Sequence, residues 1–140
     1  MPKGTPHPEL LLEAYGSVCV SPKGVYISPK IGPVPVIQWS REDILPGSYV
    51  ILKKVNLAIA WIILAKEVKE VYADTVTSRA ADLLDRHSVS YSFREKEEPV
   101  SDEELCMWEK AVLACDSSDE AMRILYECAL DASYPHVTDN

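Results

Sequence analysis

The stretch Val55 to Ala65 reads Val-Asn-Leu-Ala-Ile-Ala-Trp-Ile-Ile-Leu-Ala, and ten of its eleven residues are apolar. A helix built from it is apolar on every side. Such a helix must be covered all round by protein or lie in a membrane. Eleven residues rise only about 16 Å, roughly half of a bilayer core. The segment therefore predicts the central, fully covered helix of a layered domain, with Trp61 in its core.

Covering that helix takes apolar surface, and the chain has it: 47% of its 140 residues are hydrophobic. That fits one domain over residues 1–140 without metal or disulfide staples, with residues 1–7 and 133–140 as loose ends. Only 14 basic residues face 22 acidic ones, a net charge of −8. Phosphate contacts dominate nucleic-acid affinity, so this balance excludes bulk nucleic acid and anionic membrane as main partners. Met1 to Pro8 holds no apolar run, and no signal peptide is expected. Cys19, Cys106, Cys115 and Cys128 show no paired zinc-knuckle spacing and lie in apolar segments. They read as four reduced thiols in a cytoplasmic protein, with no metal and no cofactor.

The remaining chain supplies the layers. Pro8 to Tyr15 reads as a short helix, with Leu10, Leu11 and Ala14 in a stripe. Residues 17–20 and 25–28 read as strands joined by Ser21-Pro22-Lys23-Gly24, a hairpin loop. Residues 30–38, with Gly32-Pro33-Val34-Pro35, read as extended and irregular, and Trp39 as a residue that could be exposed. Residues 40–43 read as the start of one helical turn, which Pro46-Gly47 stops. Residues 49–52 and 68–73 read as strands flanking the buried helix, which Asn56 opens as N-cap. Val76, Ala80, Leu83, Leu84 and His87 mark an amphipathic helix. Val89, Tyr91 and Phe93 alternate with serines as a strand. Ser101-Asp102-Glu103-Glu104 and Ser117-Ser118-Asp119-Glu120 are capping boxes opening helices over about 102–115 and 118–131. Strand–helix alternation from residue 49 to 93 demands parallel strands, and the hairpin adds an antiparallel edge. The expected fold is α/β: a three-layer α/β/α sandwich on a mixed sheet.

Val68-Lys69-Glu70-Val71-Tyr72-Ala73, then Thr77, Ala80 and Leu84, then Val89-Ser90-Tyr91 and Cys106-Met107-Trp108-Glu109-Lys110-Ala111-Val112 carry a resemblance. Over roughly residues 10–130 the chain resembles the prokaryotic domain of unknown function 1893 family. The resemblance implies a cytidine-deaminase-like fold and assigns no activity. The family's Cys-Pro-Met-Glu corresponds to Cys106-Met107-Trp108-Glu109. Its Gly-Lys at the head of the buried helix is replaced by Asn56-Leu57, leaving Lys53 or Lys54 as the nearby cations.

A zinc deaminase needs His-x-Glu and Pro-Cys-x-x-Cys. His7-Pro8-Glu9 matches the first half but lies before the hairpin, and the second half is absent. Cys106 and Glu109, three apart, would share a helix face. A packing role predicts a largely buried Cys106 and a surface or salt-bridging Glu109. A thiol nucleophile with Glu109 as acid/base demands the reverse for Cys106. His87 reads as a cation at a helix C-terminus. Lys53, Lys54, Asn56, Asp74, Thr75 and Thr77 fall at strand ends and helix starts, where open α/β sheets bind ligands. Ordinary caps and solvated lysines would also explain them.

Three readings stand. The first is a non-catalytic deaminase-fold domain binding a small anionic or nucleotide-like ligand, or a protein, through Lys53, Lys54, Asn56, Thr75 and Thr77. The second is an enzyme with Cys106 as nucleophile. The third is a structural subunit of a homo-oligomer.

Overall fold

The computed structural model describes residues 11–12 and 15–133, with backbone only over 131–133. Five strands form one sheet: β1 Ser17–Ser21, β2 Gly24–Ser28, β3 Tyr49–Val55, β4 Glu70–Thr77 and β5 Ser90–Glu97. Besides the helical Leu11 and Leu12, the α-helices bounded within the described residues are α1 Pro33–Arg41, α2 Leu57–Ala65, α3 Ser78–Arg86, α4 Met107–Val112 and α5 Ser118–Ser133. A 3-10 turn covers Asp102–Glu104. The expected helix over 8–15 lies outside the described residues except for Leu11, Leu12 and Tyr15. The arm over 1–7 and its His7-Pro8-Glu9 lie outside them entirely, as does the tail beyond Ser133.

The sheet order is β2-β1-β3-β4-β5. β1 is antiparallel to both β2 and β3, while β3, β4 and β5 run parallel. Side chains alternate across a strand, so each face has its own core. Cys19, Val50, Leu52, Val71 and Ala73 share one cluster with α1, α2, α3, Val112 and α5. Val18, Tyr49, Ile51 and Tyr72 pack with helical Leu12 on the other face. The domain is mixed α/β on a five-stranded mixed sheet.

The apolar helix is where its composition puts it. In α2 the residues Leu57 to Ile63 are all buried, Trp61 included. It connects β3 to β4, and α3 connects β4 to β5. Several expectations change. β4 runs to Thr77, so Val76, expected on the amphipathic helix, is a buried strand residue. Residues 33–41 are helical, not extended. Pro33 and Pro35 fall in the first turn, where backbone N–H groups have no intrahelical acceptor, so the rings cost no hydrogen bond. That helix buries Val36, Ile37 and Trp39, so Trp39 is core. β5, expected from the alternation of Val89, Tyr91 and Phe93, runs on past Phe93 through Arg94, Glu95, Lys96 and Glu97. As an edge strand it tolerates charges in water. The helix expected over 102–115 is two pieces, because Leu105 and Cys106 are extended at ψ 150 and 167. The Leu105 side chain turns into the protein at the break.

Candidate functional site

The carboxyl ends of β3 and β4 feed directly into α2 and α3, and each helix starts on a side-chain cap. Asn56 Oδ1 accepts the Ile59 N–H at 3.0 Å. Thr77 Oγ1 accepts the Ala80 N–H at 3.2 Å. Both caps are of the favoured residue types, and both side chains are buried.

The break at Leu105 brings a third element to this corner. Cys106 occupies the N-cap position of α4, and Glu109 sits in its first turn. The Asn56 amide Nδ2 lies 3.8 Å from Cys106 Sγ. Glu109 Oε2 accepts the Leu57 N–H at 3.2 Å. A carboxylate at the head of α2 meets the positive end of the helix dipole, which offsets the cost of its burial. Removing it would leave a buried N–H unpaired, at a cost of about 1–3 kcal/mol.

Two expectations are reversed here. Cys106 is exposed rather than buried. Glu109 is 7% exposed rather than a surface charge. Both follow from the broken helix: an extended Leu105 sends its own side chain inward and leaves Cys106 at an outer helix start. The same break turns Glu109 toward α2.

Glu109 and Thr77 line one cavity with Ser78, Arg79, Glu97 and Leu105. It spans about 250 Å³ including its open mouth. Arg79 is engaged by Asp102 at 2.7 Å and by the Val100 carbonyl at 3.1 Å. Glu97 pairs with Lys54 at 3.0 Å.

The structure thus gathers Asn56, Thr77, Cys106 and Glu109 at one corner and places Lys54 at its rim. Lys53 and Thr75 do not line the cavity. Asp74 lies on the Tyr72 side of the sheet. There Arg94 donates to it at 2.6 and 3.2 Å. That hydrogen bond, aided by the positive charges of Arg94 and Lys53, holds the Asp74 carboxyl below its ordinary range. Glu109 as a cavity wall went unseen in the sequence, because nothing in its spacing separates a buried from an exposed glutamate on a helix. Among the described residues, no three His, Cys, Asp or Glu side chains are grouped to hold a metal. No described helix is long and apolar enough to cross a membrane.

A family model described as Domain of unknown function (DUF1893) matches residues 9–129. Among solved structures, the chain is similar to the crystal structure of a DUF1893 family protein from Thermotoga maritima. The two are 28% identical over 91% of each chain, with a TM-score of 0.74. No curated protein matches.

Proposed function

This chain belongs to the DUF1893 family, and on that premise we propose that it is a non-catalytic, cytidine-deaminase-like domain that binds a small nucleotide-like ligand at the Asn56–Cys106–Glu109 corner. The observation that carries the reading is the convergence of α2 and α4. Asn56 stands 3.8 Å from Cys106, and Glu109 stands 3.2 Å from the Leu57 amide.

In zinc deaminases a His-x-Glu and a Pro-Cys-x-x-Cys carry three metal ligands and a proton-shuttling glutamate. Here Asn56-Leu57-Ala58 heads the buried helix, and Cys106-Met107-Trp108-Glu109 heads the short one. The donor set does not fit zinc. Asn56 Oδ1 already accepts the Ile59 N–H, Glu109 Oε2 accepts the Leu57 N–H, and Ala58 cannot move a proton. What remains is a polar corner at the carboxyl edge of parallel strands, the usual place for a small ligand in an open α/β sheet. The four free thiols suit a reducing, cytoplasmic setting.

Calorimetric titration with nucleosides and nucleoside monophosphates tests this. Wild type should bind at least one of them, and Cys106→Trp, which fills the corner, should weaken binding at least tenfold. Binding of none, or equal binding by the variant, would overturn it.

A second reading has Cys106 as a nucleophile with Glu109 as its acid/base. The exposed thiol favours it. Alkylation of Cys106 followed across pH is its test. A midpoint well below that of a model thiol would support it, and an ordinary midpoint would remove it.

A further inference from the structure

The two edges of the sheet are guarded unequally. β5 carries Arg94, Glu95, Lys96 and Glu97 along its second half. β2, the other edge, reads Gly24-Val25-Tyr26-Ile27-Ser28 and holds no charge. An edge strand presents a row of unpaired backbone groups, and charges on it keep other strands away. β2 lacks that device, and its Val25 and Ile27 are 66% and 51% exposed. Ile31 and Val34 are exposed as well, so four of the eight large hydrophobics exposed among the described residues fall within residues 25–34. Scattered singly such residues need no explanation, whereas a run of them along a bare edge marks an interface.

The backbone fixes what that edge can pair with. The two-residue loop Pro22-Lys23 joins β1 to β2 and makes Ser21 and Gly24 a hydrogen-bonded pair. Such pairs alternate down an antiparallel ladder, so Cys19–Tyr26 and Ser17–Ser28 follow. The N–H and C=O groups of Val25 and Ile27 therefore point away from β1. Their neighbours in that row add no free donor: Pro29 has no N–H, and the Lys23 N–H is held by Ser21 Oγ at 3.1 Å. Two copies of β2 laid antiparallel about Tyr26 match these groups completely. Val25 of each copy exchanges both bonds with Ile27 of the other. A shift of two residues either way sets one of them against Pro29 or Lys23 and loses bonds. Opposite residues share a face, so Val25 and Ile27 of both copies also meet in one apolar patch on the Val18 side of the sheet.

Charge agrees with this occupant. Each molecule carries a net −8, so two copies repel one another and meet most easily where acids are absent. No acidic residue occurs between Glu13 and Glu42, the longest acid-free span of the chain, and β2 lies inside it. We infer that β2 is a homodimer interface, in which the strands of two copies pair antiparallel about Tyr26 and join their sheets into one. The inference stands apart from the ligand reading above. A pairing five residues long is at the small end of specific interfaces, whose usual size is about 1,600 Å², so the dimer is of the concentration-dependent class.

The test is sedimentation velocity of the full chain, under a thiol reductant so that no disulfide through the exposed Cys106 is counted. Wild type should pass from monomer to dimer between micromolar and millimolar concentration. Ile27→Lys sets a cation against Val25 of the second copy, and Ile27→Pro removes an outward N–H that an edge strand can spare. Each should weaken the dimer at least tenfold, with circular dichroism unchanged. Phe93→Lys, on the opposite edge, should leave it intact. Amide hydrogen exchange is a second readout that needs no variant: the Val25 and Ile27 amides should slow as concentration rises, and those of β5 should not. A monomer at every concentration would overturn the inference. So would a dimer that both folded Ile27 variants leave unchanged, one that Phe93→Lys dissolves, or exchange at Val25 and Ile27 that ignores concentration.

Discussion

Cys106 and Cys19 are the same residue type in opposite settings. Cys106 starts α4 with its side chain in solvent. Cys19 has 0% of its surface exposed. Burial pushes its thiol up to about 11. Iodoacetamide on the native protein near neutral pH should therefore modify Cys106 first and leave Cys19 intact, as peptide mass mapping would show. Equal labelling of the two would contradict these settings. Tyr91 gives a second test. Its hydroxyl donates to Asp85 at 2.8 Å and so ties β5 to α3. Burial first, then Asp85, push its pKa up to about 12. A folded pKa above the unfolded value means the neutral form is favoured in the native state. The stabilisation is therefore complete below about pH 10 and is lost as pH rises toward 12. Urea unfolding should show Tyr91→Phe less stable than wild type at pH 8, with the gap closing in the alkaline range. A gap that widens with pH would contradict this assignment.

At the scale of elements, three helices end in the same way. Asp43, Glu67 and Ser88 follow the C-caps of α1, α2 and α3 with φ of 57, 54 and 57. Glycine is the usual residue at this left-handed position, because a Cβ costs about 1–2 kcal/mol there. Part of that gain is offset by the greater freedom of an unfolded glycine. Glu67→Gly and Ser88→Gly should each stabilise the fold by about 0.5–1 kcal/mol in thermal or urea unfolding, and a loss of stability in both would contradict it. Element type was legible where the local signal was long: the unbroken apolar run of α2, and the capping residues and apolar stripe of α5. It failed where a local signal was read without its length. The capping box at Ser101 is present, with the Glu104 carboxylate accepting the Ser101 N–H at 3.0 Å. It opens only a 3-10 turn before the buried Leu105 pulls the chain extended. Pro33 and Pro35 pointed to an extended, irregular stretch, although their positions in a first turn make them good helix openers.

For the whole molecule, the mixed sheet followed from the order of elements, since parallel strands must be joined by crossing helices and a tight loop joins an antiparallel pair. The corner was only half legible. Asn56 and Thr77 announced themselves as caps at strand ends. Glu109 did not, because its place depends on how α4 packs against the head of α2, a contact between residues far apart in the chain. The lysines, read as the anion-binding part, lie apart from the cavity: Lys54 is engaged by Glu97 at the rim and Lys53 lies near Asp74. At the carboxyl edge of the sheet the largely buried Glu109 carboxylate, holding the Leu57 N–H, stands beside the capped heads of α2 and α3. The most direct measurement is a nuclear magnetic resonance titration of the full chain, labelled at glutamate carboxyl and threonine methyl carbons, with cytidine. The expected result is a saturable shift of the Glu109 carboxyl and Thr77 methyl signals. Shifts confined to other glutamates and threonines, with these two unmoved at saturation, would contradict it.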